Sequence, residues 1–182
     1  MKKVYIFLAE GFEEIEAITP VDVLRRAEID VTTVSVSDKK EVKGAHNIMI
    51  YADRVFDQCN FSDADLLVLP GGMPGTLNLN KKEALKELLV DFSKQGKLIG
   101  AICAAPIVLG GKGLLKGKNA TCYPGFEDQL TEANHTGSPL EVADNIVTAK
   151  GVGAAMKFAL QLVAMLKGEK EAEDLAQQMV IE

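Results

Sequence analysis

The chain has 182 residues, of which 47% are hydrophobic and 25% charged, with 16 glycines and 6 prolines. That composition excludes collagen-like, low-complexity and disordered classes, and the length suits one domain over 1–182. With 26 acidic against 20 basic residues and a net charge of -6, there is no basic stripe to track phosphates, and nucleic acid is not an expected partner.

Short apolar runs alternate with longer segments of helical spacing, which predicts an α/β protein. In chain order, Val4 to Ala9 reads as a buried strand, Glu14 to Glu28 as a helix containing Pro20, and Val31 to Ser37 as a second strand. Gly44 and Asn47 divide Glu41 to Asp53 into a hairpin. Asp65 to Leu69 is a central strand, Lys82 to Gln95 an amphipathic helix stopped by Gly96, and Leu98 to Ile102 the next strand. A helix begins at Pro106, Ala120 to Tyr123 reads as a strand, and Phe126 to Ala133 as a short helix. Val142 and Ile146 to Ala149 supply further strand, followed by an apolar helix over Ala154 to Leu166 and a polar one over Glu169 to Val180. Ile15, Ile18, Val21, Val23 and Leu24 spread around the first helix, which therefore needs a second packing partner besides its own sheet.

The basic tip before Val4 leads into too few apolar residues for a signal-peptide core, and Gly100 and Pro106 interrupt the least polar later stretch. A cytoplasmic protein with no membrane span is the expectation. Cys59, Cys103 and Cys122 are odd in number and widely spaced, and His46 and His135 lie far apart in sequence. Neither a disulfide framework nor a metal site is expected.

Cys103 stands where the strand Leu98 to Ile102 gives way to Ala104-Ala105-Pro106, a strand-to-helix elbow. Such an elbow strains its central residue, and a helix N-terminus there favours a thiolate, the nucleophilic form. A cysteine in an apolar run can equally be a small buried hydrophobe. Leu69-Pro70-Gly71-Gly72 ends another strand, and its amides could hold an oxyanion or merely form a tight loop. It lacks the Gly-Lys-Ser/Thr ending of a phosphate loop, so no nucleotide cofactor is expected. Glu10, Glu13, Glu14 and Glu16 cluster after the first strand. Most such acids are solvated, but one turned toward a thiolate would keep its proton and donate a hydrogen bond.

Together, Gly11-Phe12-Glu13-Glu14-Ile15-Glu16, Pro20 to Arg26, Leu69 to Gly72, Ala101 to Pro106 and Lys150 to Gly153 resemble the ThiJ/PfpI superfamily, nearest its Parkinsonism-associated deglycase branch. The resemblance implies a flavodoxin-like three-layer α/β/α sandwich with a mostly parallel sheet, usually a homodimer. It makes Cys103 the reactive thiol, Glu16 its protonated partner, and Gly72 and Ala104 the oxyanion-hole amides. Tyr123 occupies a position where many relatives carry histidine, and Asp22, that histidine's partner, would instead hydrogen-bond Tyr123. A phenol, with a reference pKa of about 10, is a poor base near neutrality. Ala104 replaces the histidine of the protease-like branch, which disfavours a peptidase.

Two functions share this site. One is a cofactor-free glyoxalase or deglycase, in which Cys103 adds to a small 2-oxoaldehyde or its glycated adducts. The other is a redox-responsive stress protein or chaperone, in which Cys103 is oxidised to sulfinate and the output is a changed client interaction.

Overall fold

A computed structural model describes residues 1–181. Its first strand, β1 (Lys3–Leu8), shows how the layers arise. Val4, Ile6 and Leu8 belong to one apolar cluster, and Phe7 with Ala9 to another. That is the period of two of a strand buried on both faces. The same division runs through β6 (Leu66–Leu69), where Leu66 and Val68 face one way and Leu67 and Leu69 the other.

The remaining strands of the main sheet are β2 (Asp30–Ser35), β5 (Arg54–Val55), β7 (Leu98–Ile102), β10 (Leu140–Ala143) and β11 (Ile146–Ala149). β3 (Glu41–Lys43) and β4 (Met49–Tyr51) form the antiparallel hairpin, and β8 (Asn119–Ala120) pairs with β9 (Asn134–His135). The sheet order is β10-β11-β7-β6-β1-β2-β5, parallel except where β10 returns antiparallel to β11. Chain direction across the sheet reverses between β1 and β6, and the crevice of an open α/β sheet forms at the carboxyl ends of such strands.

One helical layer contains α1 (Glu14–Arg26), α5 (Ala155–Lys167) and α6 (Glu169–Gln178). The other contains α2 (Gly75–Lys81), α3 (Glu83–Lys94) and α4 (Pro106–Gly110). The flavodoxin-like sandwich is the observed fold. Among the described residues, no helix is long and apolar enough to cross a membrane.

Helix α1 continues through Pro20, and α5 is the second packing partner its apolar circumference requires. Ile15 and Ile18 nevertheless remain exposed. Two expectations need correction. The strand over Ala120 to Tyr123 is only β8, because Thr121 N–H donates to the Thr148 side chain and Tyr123 N–H to the Cys103 carbonyl instead of a ladder. The helix over Phe126 to Ala133 is a single 3₁₀ turn at Glu127–Gln129. Helix α2 follows the glycine loop, in a stretch to which the sequence reading assigns no element.

Candidate active site

Three chain crossings meet at the carboxyl ends of β1, β6 and β7. Glu16 comes from the first turn of α1, Gly71 and Gly72 follow β6, and Cys103 follows β7. The loop after β1 is tied to the loop after β6 by Glu13 N–H donating to the Gly71 carbonyl at 2.9 Å and Gly75 N–H to the Gly11 carbonyl at 3.1 Å. A side chain at Gly71 would place its Cβ 2.6 Å from the Cys103 Cβ and 2.7 Å from Glu16 Oε2. Gly72 has φ +90, and a Cβ there would lie 2.3 Å from the Glu13 nitrogen. The paired glycines are therefore required by close approach and backbone shape.

Cys103 has φ 65, a left-handed conformation rare for a side chain of its type. The strain is held by its neighbours: Cys103 N–H donates to the Ala149 carbonyl at 2.8 Å, and its carbonyl accepts from Tyr123 N–H at 2.7 Å. This is the elbow anticipated from sequence.

Glu16 is fully buried, and its Oε2 accepts a 3.0 Å hydrogen bond from Gly71 N–H. Its Oε1 is buried without a complete hydrogen bond. Burial pushes the Glu16 carboxyl up to about 7, against the opposing pull of Cys103 and the Gly71 amide. Burial also pushes the Cys103 thiol up to about 12, reinforced by the charge and hydrogen bonding of Glu16, while the amides of Gly72 and Ala104 draw it down. These values belong to the pair, which releases one proton near 7 and holds the other far into alkali.

Burial and Glu16 thus oppose ionisation at the sulfur, while the amides of Gly72 and Ala104 favour it. α4 is five residues long, and the local amides, burial and Glu16 govern the sulfur. Cys122 is pushed up to about 11, also chiefly by burial, but has no carboxyl partner of this kind.

Cys103, Glu16, Gly72, Ala104 and Tyr123 line one cavity of about 480 Å³, together with Glu13, Ile15, His46, Met73, Phe126 and Val152. Tyr123 lies edge-on to Phe126 with centroids 6.4 Å apart. Asp22 is the misplaced member. It pairs with Arg26 at 2.7 Å, one turn along α1, with both side chains more than half exposed to solvent. It does not line this cavity, so the Asp22–Tyr123 contact is not formed in the described structure.

His46 is the lining residue that sequence reasoning missed. It stands in the turn between β3 and β4, and nothing local signals that Gly11 N–H to the Lys43 carbonyl and Ala45 N–H to the Phe12 carbonyl carry this turn to the site. Glu13, Glu14 and His46 have potential ligand atoms within 4.8 Å of one another. Yet Glu14 already accepts from His46 N–H at 2.8 Å and meets His46 Nδ1 at 2.9 Å. These contacts hold the Glu14 carboxyl below its ordinary range despite burial, and the same pairing raises the imidazole's pKa. The group is an ion pair complete in itself.

Residues 2–165 match the DJ-1/PfpI family. The chain is 39% identical to Protein DJ-1 homolog B of Arabidopsis thaliana, covering 99% of this chain and 42% of that one, so it spans under half of the plant relative. It is 34% identical to the Glutathione-independent glyoxalase DJR-1.2 of Caenorhabditis elegans, over 91% of this chain and 89% of that protein. The solved structure of oxidized Toxoplasma gondii DJ-1 superposes with a TM-score of 0.94 at 36% identity, covering 100% of this chain and 99% of that one. With the elbow cysteine, the buried glutamate and the paired glycines all in place, the chain belongs to the DJ-1/PfpI family.

Proposed function

We propose that the protein is a cysteine-dependent glyoxalase or deglycase acting on 2-oxoaldehydes such as methylglyoxal, or on their protein adducts. The observation that carries this reading is a strained cysteine sharing a cavity with a buried carboxyl that keeps a proton near neutrality. The nematode glyoxalase supports it as a relative.

In the pair's singly ionised form, the charge rests on sulfur and the proton on Glu16. Two amides, from Gly72 and Ala104, stabilise the sulfur anion, while one, from Gly71, serves the carboxyl. A proton on Glu16 makes the carboxyl a hydrogen-bond donor toward the Cys103 sulfur, the side chain it is coupled to. The thiolate adds to the aldehyde carbon, and the former carbonyl oxygen takes a proton to give a hemithioacetal. Transfer of hydrogen from C1 to C2 oxidises the first carbon and reduces the second, leaving a thioester of the 2-hydroxyacid. Water then cleaves the C–S bond, releasing the acid and restoring the thiol, with no external oxidant or reductant in the balance.

The direct test supplies methylglyoxal to purified protein and measures lactate. Wild type should form lactate and Cys103→Ser should not; equal rates would remove Cys103 from the chemistry. A second reading, a redox-responsive stress protein, is favoured by Tyr123 at the position where many relatives carry histidine and by the two amides that would hold sulfinate oxygens. Sulfinate formation at Cys103 without turnover would support that alternative. A homodimer and possible client proteins complete the proposal; exposed Ile15 and Ile18 on α1 support the dimer.

A further inference from the structure

The mouth of the Cys103 cavity holds an imidazole built in by a buried acid. Glu14 is 6% exposed and rigidly seated: a side chain on Gly44 would put its Cβ 2.2 Å from Glu14 Oε1. Its Oε1 accepts from His46 N–H at 2.8 Å and from Ile48 N–H at 3.4 Å, which fixes the hairpin turn. Its Oε2 lies 2.9 Å from His46 Nδ1, with Glu13 Oε2 at 3.5 Å from the same nitrogen. Facing carboxylates, Nδ1 is the donor, which leaves Nε2 as the ring's working nitrogen. Among the described residues Nε2 has no hydrogen-bond partner, and the ring lines the cavity that contains Cys103 and Glu16. A solvated surface histidine would not need a buried carboxylate to hold its ring.

We propose that His46, positioned by Glu14, is a further catalytic residue, the general acid at the ketone oxygen of a 2-oxoaldehyde attached to Cys103. The inference rests on the glyoxalase reading above and adds a proton donor to it. In the hemithioacetal, Glu16 as carboxylate accepts the C1 proton while His46 Nε2–H gives its proton to the C2 oxygen, forming an enediol. Glu16 then returns its proton to C2, and His46 recovers one from the C1 hydroxyl as the thioester carbonyl forms. Every proton is accounted for, and each group ends as it began. This supplies the imidazole that Tyr123 does not, from a different element of the fold.

The test uses His46→Ala in the full chain, the His46 side chain being 68% exposed, with thermal melting to confirm that the variant is folded at the assay temperature. Lactate formation should fall by about 10²-fold, while the rate of Cys103 alkylation by iodoacetamide stays that of wild type. Added imidazole should restore turnover in the variant and leave wild type unaffected. Turnover equal to wild type in His46→Ala overturns the inference, as does a loss that imidazole does not restore or one matched by slower alkylation. The two readings separate cleanly: an inactive wild type ends the glyoxalase proposal and this inference together, whereas an active wild type with an equally active His46→Ala ends this inference alone.

Discussion

Glu16 carries a protonation cost that should be visible in stability. The folded Glu16–Cys103 pair holds its first proton up to about 7, whereas an ordinary glutamate releases its own at 4.5. Between those values the folded chain binds a proton that the unfolded chain has lost, so the associated stability is complete below 4.5 and falls as pH rises through about 7. The limit is about 3 kcal/mol by linkage. Glu16→Gln removes the dependence, and chemical denaturation should show the variant gaining on wild type as pH rises across this window. A constant difference would mean that Glu16 titrates normally. At Gly71 the expectation is steric. Gly71→Ala forces Cys103 and Glu16 apart, and should cost roughly 1–3 kcal/mol of stability along with most Cys103-dependent turnover. Thermal melting and the lactate assay check the two effects, and an active, undiminished Gly71→Ala would show that the close packing is dispensable.

Among the elements, the segment that carries Tyr123 depends on a side chain. Thr121 N–H is buried and bonded to Thr148 Oγ1 at 3.0 Å, so Thr148→Val strands that donor and should cost about 1–3 kcal/mol in equilibrium unfolding. A neutral effect would mean that water or a backbone shift replaces the bond. This contact also explains why the strand read over Ala120 to Tyr123 stops at Ala120: the amides of Thr121 and Tyr123 are bonded to a side chain and to the elbow. The central strands were legible because burial on both faces writes an unbroken apolar run, as in Leu66 to Leu69. The elbow was legible because Gly100, the small residues around Cys103 and Pro106 all record one local geometry. His46 was not, because its place depends on backbone bonds between Lys43 or Ala45 and residues more than thirty positions away. The coupling of Cys103 to Glu16 was legible only in part for a similar reason, since the burial and the carboxyl that act on the sulfur come from other parts of the chain.

For the whole molecule, α1 is satisfied on two sides by the sheet and α5 but leaves Ile15 at 51% and Ile18 at 40% exposure. Exposed apolar residues on a short helix beside the cavity are consistent with the proposed homodimer. Sedimentation should give a dimer at micromolar concentration, and Ile18→Glu should shift it toward monomer; wild type sedimenting only as monomer would refute the dimer. The central claim is that folding brings the ends of β1, β6 and β7 together to make one proton-sharing pair from Glu16 and Cys103, with the charge on sulfur. The most direct measurement is the ultraviolet absorbance of the Cys103 thiolate across pH, taken as wild type minus Cys103→Ser. The account predicts that the thiolate appears with the pair's first ionisation, near about 7, and a signal that appears only near about 12 would place the charge on Glu16 and contradict it.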